Sequence, residues 1–149
     1  MLRVFIENEA GSNLKHHHDE ATLTFLRTER VRAPYPFPYG FVPGTRAPDG
    51  DCVDCFVITD RPLQMGDLVE CVPFGLMEQT EAGLVDHNLL AVPAGEARPD
   101  LDALRPILTR FVGEVFAGMP GRETTVGRFL PVEEALAYVE ACAPGPAAG

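Results

Sequence analysis

Apolar and polar residues follow two different periods along the chain. In the first two-thirds they form short apolar runs or alternate one by one, and both patterns predict strands. The predicted strands are 2–7, 22–27, 55–59, 67–78 and 84–92, with turns at 11–13 and 80–83. In the last third, apolar residues recur at helical spacing, which predicts helices at about 102–117 and 131–142. Strands followed by helices are typical of an α+β domain, here a small barrel with helices packed outside it.

Prolines at 34, 36, 38 and 43 interrupt the segment 34–50. Proline fixes its own φ angle and has no backbone N–H, so it excludes a helix and a central position in a sheet. The same segment carries aromatic side chains, among them Tyr35 and Tyr39. We therefore expect an extended or turning segment that packs against the rest of the domain.

The length and charge of the chain narrow its function class. A chain of 149 residues has room for one domain, which we expect at 1–143, followed by a flexible tail of small residues and prolines at 144–149. The 12 basic and 22 acidic residues give a net charge of −10, which argues against a nucleic-acid or anionic-membrane partner. No apolar run approaches the roughly 20 residues of a membrane span. The first residues lack the pattern of a secretory signal, so we expect a cytoplasmic protein.

Cysteine and histidine residues offer two further candidate sites. Cys52 and Cys55 form a Cys-x-x-Cys pair, which occurs in redox and zinc sites. The sequence has no second pair at zinc-ribbon spacing, and the motif does not begin a predicted helix, so reduced structural cysteines are favoured. The run His16-His17-His18 is either a soft-metal tract or a solvated run, and the surface habits of polar residues favour the solvated run.

Three carboxylates lie within the six residues Asp49-Gly50-Asp51-Cys52-Val53-Asp54. Such acids repel one another unless a cation lies among them, and Mg²⁺ prefers carboxylate oxygens as ligands. The helix–loop–helix calcium motif does not fit, because Asp60 and not a glutamate stands at the twelfth position from Asp49. Pro-Asp-Gly-Asp is also ordinary turn sequence, so a solvated turn remains the alternative on this segment alone.

The surrounding motifs resemble those of the soluble family I inorganic pyrophosphatases. Tyr35-Pro-x-x-Tyr39-Gly-Phe-Val-Pro-Gly-Thr45, followed by Asp49-Gly-Asp-x-x-Asp54, is similar to the family pattern Tyr-Pro-x-Asn-Tyr-Gly-Phe-Ile-Pro-Gly-Thr and Asp-Gly-Asp-Pro-x-Asp. The likeness continues in order through Ile6-Glu7, Gly11-Ser12-Asn13-x-Lys15, Pro62-Leu-Gln-x-Gly66, Cys71-Val-Pro-Phe-Gly75 and Leu90-Ala-Val-Pro93. It covers about residues 3–93 and is looser over the two helices.

The resemblance implies a fold, an activity and a metal centre. The fold is an OB-like closed barrel of five strands with two C-terminal helices packed outside, and the activity is Mg²⁺-dependent hydrolysis of pyrophosphate to two phosphates, with Mn²⁺ as a possible substitute. The implied metal ligands are Asp49, Asp54, which bridges two metals, and Asp86. Glu81 stands where the family has a further aspartate ligand, and Glu7 matches a carboxylate that holds an additional metal through water.

The resemblance also implies the residues that act on the substrate. Asp51 matches the carboxylate that accepts a proton from the nucleophilic water. Lys15, the one lysine of the chain, and Arg27 match the cations that bind phosphate, and Tyr35 and Tyr39 match the tyrosines of the same pocket. Asp51, Tyr39, Lys15 and Arg27 are therefore the expected catalytic group. Without the resemblance, Glu7 could be a solvent-facing acid, Asp86 a turn acid and the two tyrosines core aromatics.

The sequence departs from the family pattern around the phosphates. His17 stands at the position of a second glutamate, Asn88 at that of a lysine near the third metal, and Pro38 at that of the motif asparagine. The Tyr-Lys pair of the first C-terminal helix has no counterpart in Arg110-Phe-Val-Gly-Glu-Val-Phe116. Arg110 and Arg128 are the candidates to replace the missing cations.

These departures keep two alternative functions open. One is a protein that binds metal and a phosphorylated ligand with weak activity. The other is hydrolysis of a different phosphoanhydride or of a phosphonate. The expected partners are pyrophosphate or a related phosphorylated small molecule and other copies of the chain, since bacterial members of the family assemble into hexamers.

Overall fold

The structure, a computed structural model, describes residues 1–143, so the predicted tail at 144–149 lies outside the described residues. The strands are β1 Leu2–Asn8, β2 Leu14–Asp19, β3 Thr24–Arg30, β4 Tyr39–Val42, β5 Val53–Val57, β6 Leu68–Glu81, β7 Leu84–Val85, β8 Asn88–Pro93 and β9 Thr124–Pro131. The helices are α1 Leu101–Val115 and α2 Val132–Cys142. Neither helix of the described residues has both the length and the hydrophobicity that a bilayer crossing requires.

Five strands close into a ring. Their order is β1–β4–β5–β8–β6, and β6 pairs back onto β1. The β5–β8 pair is parallel and the other pairs of the ring are antiparallel. The 14-residue strand β6 continues past its pairing with β1, and this extension, 75–81, pairs with β9 and at its end with β7. The predicted α+β fold, a closed five-stranded barrel with two helices packed outside it, is confirmed.

The hydrophobic pattern of the sequence does not predict strands β2 and β9. Strand β2, which pairs with β3 in a separate two-stranded hairpin, has the sequence Leu-Lys-His-His-His-Asp and so lacks an apolar alternation. Strand β9 leads directly into α2 and is half exposed, because it pairs only with the extension of β6. The predicted strand at 84–92 is in fact interrupted, with Asp86 and His87 between β7 and β8.

A central strand lies inside the proline-rich segment, which corrects the sequence-based expectation. β4 is buried throughout and pairs with β1 on one side and β5 on the other. The prolines exclude only themselves from the sheet, since Pro38 and Pro43 flank the strand at its two ends. The prediction that this segment packs against the domain is confirmed for Tyr35 and Tyr39, which are 3% and 9% exposed.

The barrel packs against one helix on each of two sides. One core cluster joins Phe56 and Leu90 of the barrel to Leu108, Phe111 and Val112 of α1. A second cluster fills the barrel with residues of β1, β5 and β8 and includes Ala135 and Cys142 of α2. The two helices therefore hold the closed ring in place, and the ring in turn fixes the strand ends that carry the polar residues described below.

Gly40 provides a test of the β1–β4 packing. A Cβ atom on Gly40 would meet the backbone of Phe5, with the Phe5 carbonyl carbon at 2.7 Å and its oxygen closer still. We expect Gly40→Ala to lower the free energy of unfolding by about 3 kcal/mol, because the obstacle is backbone that cannot rotate away. Chemical denaturation measures this loss.

Gly113→Ala is the matched control. Gly113 lies in α1, and a Cβ there meets nothing within 4 Å. Alanine should raise the stability by about 0.5–1 kcal/mol through its higher helix propensity. Equal stability of the two variants would contradict the described β1–β4 approach.

Candidate active site

A cavity of about 500 Å³ collects nearly all of the residues that the sequence singled out. Its walls come from barrel strands, from the β2–β3 hairpin and from the loops after β4, β7 and α1. The predicted site residues that line it are Glu7, Lys15, Arg27, Tyr39, Asp49, Asp51, Asp54, Glu81 and Asp86. Tyr35 lies directly behind this wall, in a small apolar pocket that also contains Lys15 and Tyr39.

The acidic loop between β4 and β5 is shaped by its own hydrogen bonds. The Ala47 amide donates to the Asp51 carbonyl at 2.7 Å, and the Asp51 amide donates to the Asp49 carboxylate at 3.0 Å. Gly50 has a φ of 92°, a left-handed conformation that glycine adopts without strain. This turn brings Asp49 and Asp51 to the cavity. The segment is therefore a turn, and its carboxylates are also placed where a cation could bind.

Asp54 and Asp86 form the most buried part of the acid cluster. Asp54 lies on the barrel strand β5, and its carboxyl group lies next to that of Asp86. Burial, and next the repulsion from Asp86, raise the pKa of Asp54 well above its ordinary value. Burial also raises the pKa of Asp49, and burial together with Asp86 raises that of Glu81. These carboxylates thus share one poorly solvated region in which negative charge is costly.

A buried amide network fixes the position of Asp86. The Gln79 side-chain amide donates to the Asp86 carboxylate at 3.4 Å, and the Asn88 amide donates to Gln79 Oε1 at 3.0 Å and to the Asp86 carbonyl at 3.3 Å. Asn88 is 2% exposed and lies behind the cavity wall, not in it. The residue that departs from the family lysine therefore supports a carboxylate instead of presenting a charge.

The histidine run is not the solvated run that composition favours. His18 is 8% exposed, and its ring packs edge-on against Phe5 while its amide and Nδ1 both lie 3.1 Å from the Glu7 carboxylate. His17 Nε2 contacts Glu29 Oε2 at 2.6 Å, although burial lowers the pKa of His17. The error has a physical cause: alternation in β2 turns His18 toward the barrel, and the barrel then supplies a carboxylate partner.

Lys15 is held between the tyrosines and the acids. Its Nζ lies 3.5 Å from the Tyr35 hydroxyl and 5.0 Å from the centroid of the Tyr39 ring. Burial opposes the charge of the ammonium group, but Tyr35, Asp54 and Glu7 outweigh burial and raise the pKa of Lys15. The one lysine of the chain is therefore a fixed positive charge at the deep end of the acidic cavity.

The two arginines proposed to replace the missing cations lie elsewhere. Arg110 pairs with Glu114 on the exposed face of α1, and Arg128 pairs with Glu78 through two hydrogen bonds of 2.8 and 3.0 Å. Neither lines the cavity, so the structure offers no support for either candidate as the replacement. Arg122, which the sequence analysis overlooked, does line it, as do Glu20 and Phe116. The position of Arg122 in the sequence could have identified it, because Pro120-Gly121-Arg122 follows the end of the helix from which the Tyr-Lys pair is missing.

The cysteine pair belongs to two different environments. Cys55 lies in the barrel core, whereas Cys52 lies in the acidic loop with its amide donating to Glu20 at 2.9 Å. Burial raises the pKa of the Cys55 thiol well above its ordinary value. A thiol held protonated is a poor nucleophile and a poor metal ligand, which supports the structural reading of Cys55.

The donor set of the cavity fits hard divalent cations. Eight carboxylates line the cavity against three permanent cations, namely Lys15, Arg27 and Arg122. Glu81 Oε1 is buried without a hydrogen-bond partner among the described residues. Across residues 1–143 the side chains do not form a ready-made ligand group of three or more His, Cys, Asp or Glu. Excess carboxylate charge and an unpartnered buried oxygen are what a cation would relieve.

Comparison with known proteins assigns the family. The family model described as inorganic pyrophosphatase matches residues 4–143. The chain belongs to the inorganic pyrophosphatase family. An inorganic pyrophosphatase of Nanoarchaeum equitans is 32% identical over 143 residues, covering 92% of this chain and 88% of the relative. One from Synechocystis is 32% identical, with 95% and 89% covered.

Solved structures extend the similarity to the whole fold. An inorganic pyrophosphatase of Coxiella burnetii superposes with a TM-score of 0.83 at 31% identity, covering 94% of this chain and 91% of that one. One from Thermus thermophilus gives a TM-score of 0.83 at 27% identity, with 94% and 87% covered. The predicted family is confirmed. The members of this family are hydrolases that work with divalent metal, which agrees with the carboxylate-rich cavity.

The buried acid pair predicts an unusual stability effect. The pKa of Asp54 is higher in the folded than in the unfolded chain, so ionisation of Asp54 lowers the stability of the metal-free protein as pH rises above the ordinary carboxyl pKa. With EDTA at pH 8, we expect Asp54→Asn to raise the melting temperature, by about 3 °C for each kcal/mol of relieved repulsion. The difference should shrink at pH 4, where Asp54 keeps its proton.

Addition of Mg²⁺ should reverse the order. The wild type should gain melting temperature, since its carboxylates bind the ion in the folded state only, and Asp54→Asn should gain less. Thermal unfolding followed by circular dichroism, with and without Mg²⁺, measures both effects. A variant less stable than the wild type in EDTA at pH 8 would contradict the described repulsion between Asp54 and Asp86.

Proposed function

We propose that this protein hydrolyses inorganic pyrophosphate to two phosphates with the help of divalent cations. The observation that carries the proposal is the single cavity in which a pyrophosphatase-family chain brings together eight carboxylates and three cations. Such a mixed lining suits a polyanionic substrate that enters with metal ions, because neither the acids alone nor the cations alone would balance the charge.

Asp49, Asp54, Asp86 and Glu81 are the proposed metal ligands, and Glu7 is the proposed holder of a further ion. Mg²⁺ is the proposed metal, with Mn²⁺ as a substitute, since both accept hard oxygen ligands. When bound, the ions supply charge neutralisation for the pyrophosphate oxygens and make water more acidic. The Gln79–Asn88 network serves this arrangement by keeping the Asp86 carboxylate turned toward Asp54.

Asp51 is the proposed proton acceptor. It is exposed in the loop that faces the cavity, and its backbone is fixed by the bonds to Ala47 and Asp49. In the reaction, one water adds to a phosphorus atom while the bridging P–O bond breaks, and the proton of that water passes to Asp51. The leaving phosphate keeps the electron pair of the broken bond and the proton passes from Asp51 to it, so one water and one pyrophosphate give two phosphates and Asp51 is again ionised.

Lys15, Arg27 and the two tyrosines are the proposed phosphate-binding residues. Lys15 acts as a point charge whose position is set by Tyr35 and Tyr39, and Arg27 reaches the cavity from β3 with a guanidinium that is largely exposed. The Tyr39 hydroxyl completes this group as a neutral donor, because burial raises the pKa of Tyr39 well above its ordinary value.

One observation keeps a second candidate function in view. The end of α1, where the family pattern has its Tyr-Lys pair, here brings the apolar ring of Phe116 into the cavity wall. A less cationic wall would favour weak turnover, or a substrate other than pyrophosphate. Assembly of the chain into a homo-oligomer, a hexamer by family resemblance, and a cytoplasmic location stay predictions.

Phosphate release is the test of the proposed function. We expect the purified protein to release phosphate from pyrophosphate in Mg²⁺ or Mn²⁺ and to lose at least about 100-fold of its rate in excess EDTA. Without a cation, nothing neutralises the pyrophosphate oxygens or acidifies the attacking water. Triphosphate, nucleotides and a phosphonate are assayed in parallel. Release from one of these instead of pyrophosphate would favour the second candidate function, and full activity in EDTA would exclude the metal-dependent mechanism.

Two substitutions separate the metal ligand from the phosphate ligand. Asp54→Asn should lower kcat by at least about 100-fold and weaken metal binding, because Asp54 lies among the other ligands at the centre of the acid cluster. Lys15→Ala should raise KM by about 10-fold, with a smaller effect on kcat, because its contact forms with the substrate as well as with the transition state. Steady-state kinetics at several Mg²⁺ concentrations measure both. Near-normal turnover of Asp54→Asn would remove Asp54 from the metal site.

A further inference from the structure

The cavity contains one cation that the family resemblance does not assign. Arg122 lies in the loop between α1 and β9 and lines the cavity together with Phe116. Its guanidinium carbon lies 3.8 Å from the centroid of the Phe116 ring. Phe116 ends the helix from which the family's Tyr-Lys pair is missing. The positive charge at this end of the cavity therefore comes from a loop residue, whose guanidinium lies over the face of the Phe116 ring.

The guanidinium of Arg122 is only partly used by the protein. Its Nη1 donates to Glu29 Oε1 at 2.6 Å, and its Nε lies 3.9 Å from Glu81 Oε1, too far for a hydrogen bond. Arginine has five N–H donors, and within residues 1–143 the Glu29 contact is the one hydrogen bond that this side chain makes. Its side chain is 26% exposed and lines the cavity, so donors remain that the protein itself does not use.

We propose that Arg122 is a substrate-binding residue that grips a phosphoryl group of pyrophosphate in place of the missing helix pair. The inference rests on the proposed function and names a cation that this function needs. The planar fork of an arginine matches two phosphoryl oxygens at once, and its stacking on Phe116 fixes the plane of the fork. Lys15 and Arg122 enter the cavity from different elements, β2 and the α1–β9 loop, so they can hold the substrate from different directions.

Glu29 keeps other partners when Arg122 turns from it to the substrate. Its carboxylate also contacts His17 Nε2 at 2.6 Å and Arg27 Nη1 at 3.6 Å, so it is not left alone when Arg122 turns to the substrate. Burial disfavours the Glu29 charge, but the hydrogen bonds from His17 and Arg122 outweigh burial and lower the pKa of Glu29. In the free protein, the Glu29 carboxylate thus holds the guanidinium of Arg122. Pyrophosphate, which carries more negative charge, then replaces Glu29 as the partner of Arg122.

The first experiment compares arginines inside and outside the cavity. Arg122→Gln should raise KM for pyrophosphate and the dissociation constant of methylenediphosphonate, measured by calorimetry in Mg²⁺, by about 10- to 100-fold, the size of a charge-assisted pair. Arg110→Gln and Arg128→Gln, which remove exposed pairs with Glu114 and Glu78, should leave both values unchanged. Arg122→Lys should recover part of the binding, and it also serves if Arg122→Gln folds poorly.

The second experiment distinguishes binding from a merely structural role. If Arg122 served only to neutralise Glu29, adding Arg122→Gln to Glu29→Gln would change nothing, because the charge to be neutralised is already gone. If Arg122 binds the substrate, Glu29→Gln frees it from a competing anion, so methylenediphosphonate should bind as tightly as in the wild type or more tightly. Weaker methylenediphosphonate binding by the double variant Glu29→Gln/Arg122→Gln than by Glu29→Gln therefore supports the proposal, and equal binding by these two variants overturns it.

The outcomes separate this inference from the proposed function. A wild type that hydrolyses pyrophosphate, together with an Arg122→Gln variant whose KM and methylenediphosphonate affinity match the Arg128→Gln control, would overturn the role of Arg122 and leave the function standing. A wild type that releases no phosphate from pyrophosphate would overturn the proposed function. Methylenediphosphonate binding that depends on Arg122 in such a protein would still assign the residue to a diphosphate site.

Discussion

Electrostatic repulsion among carboxylates that have been partly removed from water is the constraint on which the site depends. Asp54 and Asp86 are in contact, Asp49 and Glu81 share the same poorly solvated region, and the pKa values of Asp54, Asp49 and Glu81 are all raised. A chain gains nothing in stability from such an arrangement. The closed barrel and its two helices impose it, and the divalent cations that we propose for this site would offset its cost.

Barrel strands and peripheral elements supply different parts of the chemistry. Among the proposed metal ligands, Glu7 and Asp54 lie on strands of the ring, Glu81 ends the extension of β6, and Asp86 is tied to the ring through Gln79 and Asn88. Asp49 lies in the loop after β4, whose turn is held by its own hydrogen bonds. The cations Lys15 and Arg27 come from the hairpin, and Arg122 comes from a loop. Metal ligands need nearly fixed distances, which a hydrogen-bonded ring supplies, whereas residues that grip a phosphoryl group must also release it. Elements outside the ring are suited to that release.

The sequence was sufficient where a local rule decides the outcome. Period and capping predict both helices to within about two residues, and the motif order predicts the residues that meet in the cavity. It was insufficient where a distant partner decides. Strand β9 exists because the extension of β6 offers it an edge, β2 is a strand because β3 pairs with it, and His18 is buried because Glu7 and Phe5 lie opposite. Apart from β3, which follows β2 across a short turn, none of these partners is a neighbour in sequence.

The cation of the α1–β9 loop shows the same limit in the functional site. In the helix where the family has its Tyr-Lys pair, the stretch 110–116 of this chain contains no such pair. A charge, however, acts through its location in space, and a loop that folds back over the helix end can deliver it from a different position in the chain. Phe116 is then part of the replacement, because its ring supports the guanidinium of Arg122 at 3.8 Å. Loss of a motif residue therefore says less about loss of function than the charge that the cavity finally contains.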